Sequence, residues 1–566
     1  MKEPLSAYLL KNNHVTPEKL TDAIKLSGEN REPLTKTLVS SGAVEADKLI
    51  TIMSDYYGVP FINSKQSVDS SLFQLLPESV IHKYKAIPVK LSAKTLTVAL
   101  VEPDNEFSKE YIQMVSGYII EAAGILESDF KRIVEIYFSS SNVEKIVKDL
   151  MIPNAEALIE QATTKGEDES TITKLVDTIL MHAVRLNASD VHIEPQDKEL
   201  LIRFRIDGVL KTIEILPTML QAPIISRIKV MANMNITEKR FPQDGQARMK
   251  ILDRNIDLRI SSLPARYGEK IVLRVLDKTS FLLGVDQLGM NPLVQSRMEE
   301  IITQSTGIFL VTGPTGSGKT TTLYTCLNRI RSSMTNIITL EDPIEYELLA
   351  GKTREGGITQ VQMNPKINFN FVDGLKACLR QDPDVLFVGE IRDRDSAEIA
   401  FTSALTGHFV MSSLHTIDAP STVTRLLDMD IEPYLIATTL KGIISQRLVR
   451  VLCSYCKEPY TLPKRALDRL PIKINYKSEA VSFFRPKGCS WCGRSGYRGR
   501  KGIFELLEIT EPLRELILKR ASIAEITKCS LENNMVNLSQ AGIEAVLQGV
   551  TSVAEVLRVA PSGLKG

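Results

Sequence analysis

Residues 308–320 read Ile-Phe-Leu-Val-Thr-Gly-Pro-Thr-Gly-Ser-Gly-Lys-Thr, and this stretch sets the fold class. A short apolar, β-branched run predicts a buried strand, and residues 321–331 carry a helical pattern. Between them Gly313, Gly316 and Gly318 let the backbone turn tightly and aim its N–H groups inward, while the helix N-terminus adds partial positive charge. Such a turn grips phosphate. Gly313, Pro314, Thr315, Gly316, Ser317, Gly318, Lys319 and Thr320 are therefore the candidate nucleotide site. Lys319 is expected at the β- and γ-phosphates and the Thr320 hydroxyl at Mg²⁺.

Working outward, apolar runs at 307–312, 336–340, 385–389 and 409–413 alternate with helical segments. They predict parallel strands in a doubly wound α/β domain over 286–566. A second acidic element belongs at the end of a neighbouring strand, and Asp384-Val-Leu-Phe-Val-Gly-Glu390 supplies one. Glu390 is a candidate to hold a Mg²⁺-bound water or to polarise the attacking water. Glu341 and Glu345, in Glu-Asp-Pro-Ile-Glu, form a further carboxylate pair suited to water activation or metal support. His415 ends another apolar strand and reads equally as a structural histidine or a γ-phosphate sensor.

Upstream, residues 173–285 combine a helix with alternating strand patterns at 191–194, 200–207, 249–251 and 255–261, a small α+β domain. Residues 151–172 are polar and aperiodic, the composition of a linker. Residues 1–150 form an N-terminal regulatory or docking appendage. Its first part repeats at an offset of 29: Leu9 and Leu38, Val15 and Val44, and Leu20 and Leu49 correspond, which predicts two stacked helical hairpins. A small α/β part follows it.

With 69 Lys and Arg against 68 Asp and Glu, the chain has no global pull toward nucleic acid or anionic lipid, and no nucleic-acid partner is expected. No apolar run approaches the ~18 residues that span a bilayer, so a cytoplasmic protein is expected. Four of the seven cysteines make two CxxC pairs, Cys453/Cys456 and Cys489/Cys492. Four thiolates can close a tetrahedral Zn²⁺ site, and Gly488 and Gly493 allow the turns such knuckles need. That places a zinc element at 450–500.

Taken in order, residues 313–320, 339–346, 381–393 and 406–416 resemble the Walker A, Asp box, Walker B and His box of the bacterial secretion ATPases. This is the GspE/PilB group, which powers type II secretion and type IV pilus assembly. Residues 188–195 (Ala-Ser-Asp-Val-His-Ile-Glu-Pro), 203–208 (Arg-Phe-Arg-Ile-Asp-Gly) and 240–245 (Arg-Phe-Pro-Gln-Asp-Gly) are similar to that group's middle domain. The resemblance implies a RecA-like ATPase domain, a PAS-like middle domain, and ATP and Mg²⁺ as ligands. It also implies a homo-hexameric ring acting on an inner-membrane platform protein, hence peripheral association with that membrane. ATP sites would lie between middle and C-terminal domains, with Arg240, Arg259 and Arg274 the candidates to bring positive charge to the phosphates of an adjoining protomer.

The long appendage and the tetracysteine element set the chain apart from pilus retraction ATPases, as the resemblance implies, and fit assembly or export; the appendage is similar to that of pilus assembly ATPases and favours pilus assembly, with type II secretion the alternative. A nucleotide-gated scaffold is opposed by Glu390, the Asp box and the arginines, and a DNA-translocating motor by the near-neutral composition. The N-terminal repeat also resembles a cyclic di-GMP module whose motifs begin Arg-Leu-Gly. Here Pro4-Leu5-Ser6 and Pro33-Leu34-Thr35 stand in those places, without the planar cation that stacks on guanine and pairs with phosphate. Titration calorimetry is accordingly expected to show no binding of cyclic di-GMP at micromolar concentration; micromolar affinity would contradict the protein-docking role given to the repeat.

Overall fold

The computed structural model describes residues 4–30, 33–62, 70–131, 133–134, 171–251, 254–277, 284–348, 357–364, 367–461, 483–489 and 492–560. They form two compact units, Met1–His182 with Cys453–Cys456 and Lys487–Gly496, and Ala183–Leu452 with Lys457–Pro486 and Tyr497–Gly566. The linker expected at 151–172 lies outside the described residues up to 170. Its last two residues already belong to the helix Thr171–Arg185.

In the first unit the repeat folds into four helices. Helices Leu5–Lys11 and Pro17–Asn30 form one hairpin, Leu34–Ser40 and Ala46–Tyr57 the other. The matched apolar pairs Leu9/Leu38, Val15/Val44 and Leu20/Leu49 all enter one core. Asn13 and Gly42, equivalent in the repeat, both turn the chain with φ of 53° and 68°. A four-stranded sheet follows, with β1 (Phe61–Ile62), β2 (Ala86–Ser92), β3 (Thr95–Leu100) and β4 (Ile119–Ile125) in the order β1-β4-β3-β2.

The second unit opens with an antiparallel sheet. It comprises β5 (Asp190–Pro195), β6 (Glu199–Ile206), β7 (Val209–Pro217), β8 (Gln243–Ile251), β9 (Arg254–Ala265) and β10 (Gly268–Asp277), ordered β7-β6-β5-β10-β9-β8. The sequence reading missed β7, β10 and the helix Gln221–Met231, and it started β8 six residues late. The two edge strands explain part of this. β8 carries Gln-Asp-Gly-Gln-Ala-Arg-Met-Lys-Ile and is half-exposed along most of its length. An edge strand earns its place through backbone pairing and does not need an apolar alternation.

The ATPase-type domain is a seven-stranded sheet. Its strands are β11 (Gly307–Thr312), β12 (Ile337–Glu341), β13 (Ile358–Gln362), β14 (Val385–Val388), β15 (Phe409–Leu414), β16 (Leu440–Leu452) and β19 (Tyr497–Glu508). A separate hairpin pairs β17 (Lys457–Tyr460) with β18 (Phe483–Pro486). The order is β13-β12-β14-β15-β11-β16-β19, parallel throughout except for the antiparallel β16/β19 pair. Every residue of β11, β12, β14 and β15 is buried. Alternate side chains divide between two cores: Ile308 and Leu310 go to one face, Phe309 and Val311 to the other. A parallel sheet covered on both faces demands such continuous apolar strands. It also delivers the carboxyl ends of β11, β12, β14 and β15 to one edge, where α/β folds bind ligands. Among the described residues no helix is long and apolar enough to cross a membrane.

The end of the chain is tied down electrostatically. Glu555, in the last helix Val553–Val559, is buried. It accepts from Arg450 Nη2 at 2.8 Å, from Arg450 Nε and N at 3.1 Å, and from Arg558 Nη2 at 2.6 Å. Burial pushes its carboxyl up, but the hydrogen bonds from Arg558 and Arg450 outweigh burial and hold it at about 2. Because the folded value lies below the ordinary carboxylate range, the stabilisation is complete above pH ~4.3 and disappears as pH falls toward 2. Glu555→Ala leaves the partly buried Arg450 without its partner and is expected to cost ~3 kcal/mol at pH 7. Thermal melts should show the gap between variant and wild type closing as the buffer is taken from pH 5 to pH 2. Equal melting at neutral pH would show the cluster to be dispensable.

Candidate active site

The phosphate loop emerges from the middle of the sheet, between β15 and β16. Thr312, the last residue of β11, pairs with Leu414 on one side and Ser445 on the other. Gly313, Gly316 and Gly318 have φ of 145°, 77° and 91°. A Cβ on Gly313 would stand 2.7 Å from the Gln446 carbonyl oxygen, so no side chain fits there. The helix that follows starts at Lys319, two residues earlier than expected, with Gly318 as its cap. Its first residues are thereby presented to the loop, which the dipole argument requires.

Lys319 Nζ donates to the carbonyls of Gly313 at 2.8 Å and Pro314 at 3.4 Å, and lies 3.5 Å from His415 Nδ1. Burial pushes its ammonium down to about 8, with the Glu390 carboxylate pulling the other way. Thr320, the second residue of the helix, is half-buried beside the loop. A hydroxyl together with the carboxylates of Glu390 and Asp342 is the hard-oxygen donor set that Mg²⁺ takes.

Glu390 follows β14 and is joined to the end of β15: His415 Nε2 lies 3.2 Å from its Oε2. Arg392 pairs with Oε1 of the same carboxylate and, more loosely, with Asp342 Oδ2 at 3.6 Å. His415 therefore bridges Lys319 and Glu390. This sets its ring beside the phosphate loop.

The two Asp-box glutamates separate. Glu341 is buried, with Oε1 accepting from Thr339 Oγ1 at 2.6 Å and Gln360 Nε2 at 3.1 Å, and Oε2 accepting from the Tyr324 hydroxyl. Both of its oxygens are committed to neutral donors, which ties the phosphate-loop helix to β12 and β13. Burial and the adjacent Glu341 push the Tyr324 phenol up, so this hydroxyl stays a donor. Glu345 is half-exposed and pairs with Arg259, Nη2 to Oε2 at 3.3 Å.

That pair settles where the arginines stand in the single chain. Arg259, on β9 of the middle domain, meets the Asp-box loop within the single chain. Arg274 lies opposite Arg259 on β10 and pairs with Asp190, Nε to Oδ1 at 3.4 Å. Both line an open concavity of about 520 Å³ with Asp244, Gln246 and Ser261. Arg240 is not brought to the loop: its side chain is 80% exposed and it closes on Glu238, Nη2 to Oε2 at 2.9 Å. Arg392 was missed although it stands two residues after Glu390. Gln446 and Arg447 were missed because β16 carries no phosphate-binding signature.

The two cysteine pairs converge. The four Sγ atoms lie within 4.8 Å of one another. Cys453–Cys489 and Cys456–Cys492 are 3.8 Å apart and Cys489–Cys492 is 3.7 Å. Thiolates bonded to one zinc at ~2.3 Å in a tetrahedron sit ~3.8 Å apart, so the donor set fits that ion. Gly488 and Gly493 turn with φ of 95° and 55°. The Gly496 N–H donates to Cys492 Sγ at 3.1 Å, the polarity a thiolate ligand wants.

Comparison with known proteins agrees with this geometry. The family described as "Type II/IV secretion system protein" matches residues 165–558. The "MshEN domain" family matches residues 57–143, which is the α/β part of the appendage and not its helical repeat. The type IV pilus assembly ATPase PilB of Myxococcus xanthus is 38% identical over 98% of this chain and 99% of its own length. Type II secretion system protein E of Dickeya dadantii is 42% identical over 83% of this chain and 89% of its own. Among solved structures, the ATPase DotB of Legionella pneumophila superposes with a TM-score of 0.52 at 21% identity. That match covers 69% of this chain and 96% of DotB, a likeness of fold.

Metal analysis of the purified chain is expected to find one zinc per chain, released by Cys489→Ser. A content clearly below one would remove the zinc assignment.

Proposed function

The chain belongs to the type II/IV secretion system protein family, and from that membership we propose that it is an ATPase motor whose work is type IV pilus assembly. The carrying observation is the end-to-end match to the Myxococcus pilus assembly ATPase, appendage included. A second reading, type II protein export, is favoured by the higher identity to the Dickeya protein over the shorter stretch they share. We propose further that the motor is a homo-hexamer acting on an inner-membrane platform protein, cytoplasmic and peripheral to that membrane.

The residues divide the chemistry among themselves. The loop N–H groups and Lys319 take the β- and γ-phosphates, with Lys319 exchanging the Gly313 carbonyl for phosphate oxygen. Thr320 and the neighbouring carboxylates would hold Mg²⁺, which supplies charge neutralisation at the phosphate oxygens. Glu390 orients the attacking water and receives its proton. His415 and Arg392 each hold one of its oxygens, so the carboxylate is fixed in direction. Arg259 leaves Glu345 for the γ-phosphate and neutralises charge that develops there, a role worth ~10³–10⁵ in rate in phosphoryl transfer. Because Arg259 rides on the middle domain, gripping phosphate draws that domain onto the loop, and loss of phosphate lets it go. A difference in nucleotide affinity between the two positions is what performs work.

Arg259→Ala and Glu390→Gln are each expected to lower turnover at least a thousandfold while ATP binding stays within about threefold; unchanged turnover removes that residue from the machinery. Deleting the gene in its host should abolish surface pili and leave protein export intact. The reverse result would transfer the motor to type II secretion.

A further inference from the structure

β16 runs past the phosphate loop with two polar side chains buried against it. Gln446 is 1% and Arg447 9% exposed. Gln446 Nε2 donates to the Ser317 carbonyl at 2.7 Å, and its Oε1 accepts from Thr322 Oγ1 at 2.7 Å. One carboxamide thus joins the end of the loop to the first turn of its helix. A Cβ on Gly318 would come within 3.0 Å of Nε2 as well. Only a group that donates on one side and accepts on the other satisfies both partners.

Arg447 points along the other flank. Its Nη1 donates to the Gln446 carbonyl at 2.9 Å and its Nη2 to the Ile417 carbonyl. Ile417 lies two residues after His415, at the start of the segment leading into the helix Ala419–Asp428. That helix is anchored from below, since the Ala419 N–H donates to Glu505 Oε1 at 2.7 Å. Glu505 sits opposite Ser445 on the paired strand. Consecutive residues of one strand therefore hold the phosphate loop and the His415 segment separately.

We propose that Gln446 and Arg447 are positioning residues with divided roles: Gln446 shapes the phosphate loop for nucleotide binding, and Arg447 sets His415 against Glu390 for hydrolysis. The inference rests on the reading of residues 313–320 as the ATP site. Neither side chain needs to touch nucleotide. Gln446 acts through the direction of the loop amides, where a small rotation spoils several N–H contacts together. Arg447 acts through the Ile417 carbonyl, which fixes how far the His415 ring advances toward Glu390. The fork of a guanidinium reaches two carbonyls at once, and a lysine ammonium does not reproduce that geometry.

The test is a split between binding and turnover in the full-length chain. Gln446→Glu keeps the side-chain shape but sets an acceptor against the Ser317 carbonyl. It is expected to weaken ATP binding, read by calorimetry, at least tenfold. Thr322→Val removes the other half of the clamp without adding charge and should weaken binding about threefold or more, which covers failure of the first variant to fold. Arg447→Lys is expected to leave ATP affinity within about twofold and lower kcat at least tenfold. A merely structural role would instead lower the melting temperature and leave both constants of the folded protein at wild-type values, and that outcome overturns the proposal. Absence of wild-type turnover would sink the ATPase reading, while the calorimetric arm would still decide the role of Gln446.

Discussion

The reversal between β11 and the helix Lys319–Ile330 is the constraint from which the rest follows. Three glycines hold positive φ there, and the strand before them is buried at every residue. The turn can be this tight because the sheet on both sides is rigid: β15 and β16 pair with β11 along its length. Moving the loop would unpack two apolar cores at once. Interiors packed to crystal density do not yield continuously, so the loop amides are held ready for phosphate at no further ordering cost.

Around that fixed point the charges are kept in pairs. Glu390 is shared by His415 and Arg392, Glu345 holds Arg259, and Asp190 holds Arg274. These pairs are partly solvent-exposed and individually weak, within ~0–1 kcal/mol. The carboxylates of Glu555 and Glu341 are different in kind: both are buried, and neither has solvent to fall back on.

Among the described residues, two polar contacts join the middle domain to the ATPase-type domain at different places. One is Arg259–Glu345. The other is Asp207, whose Oδ2 accepts the Gly499 N–H at 2.9 Å. Both contacts are polar.

The phosphate loop, the strand-end carboxylate Glu390 and the two CxxC pairs were legible from sequence because each is a local pattern whose chemistry fixes its own spacing. The tandem hairpins were legible for a similar reason, since a repeat of apolar positions predicts its own packing. Separating Glu341 from Glu345 and finding Arg259 beside its own chain's Asp box required the fold, as did recognising Gln446 and Arg447. Those assignments depend on which strand ends lie side by side, and strand order in a parallel sheet is set by crossover connections and core packing among residues far apart in the chain. Sequence determined which chemistry is present; tertiary structure decided which groups share it, because hydrogen bonds and ion pairs act over a few ångströms whatever the distance along the backbone.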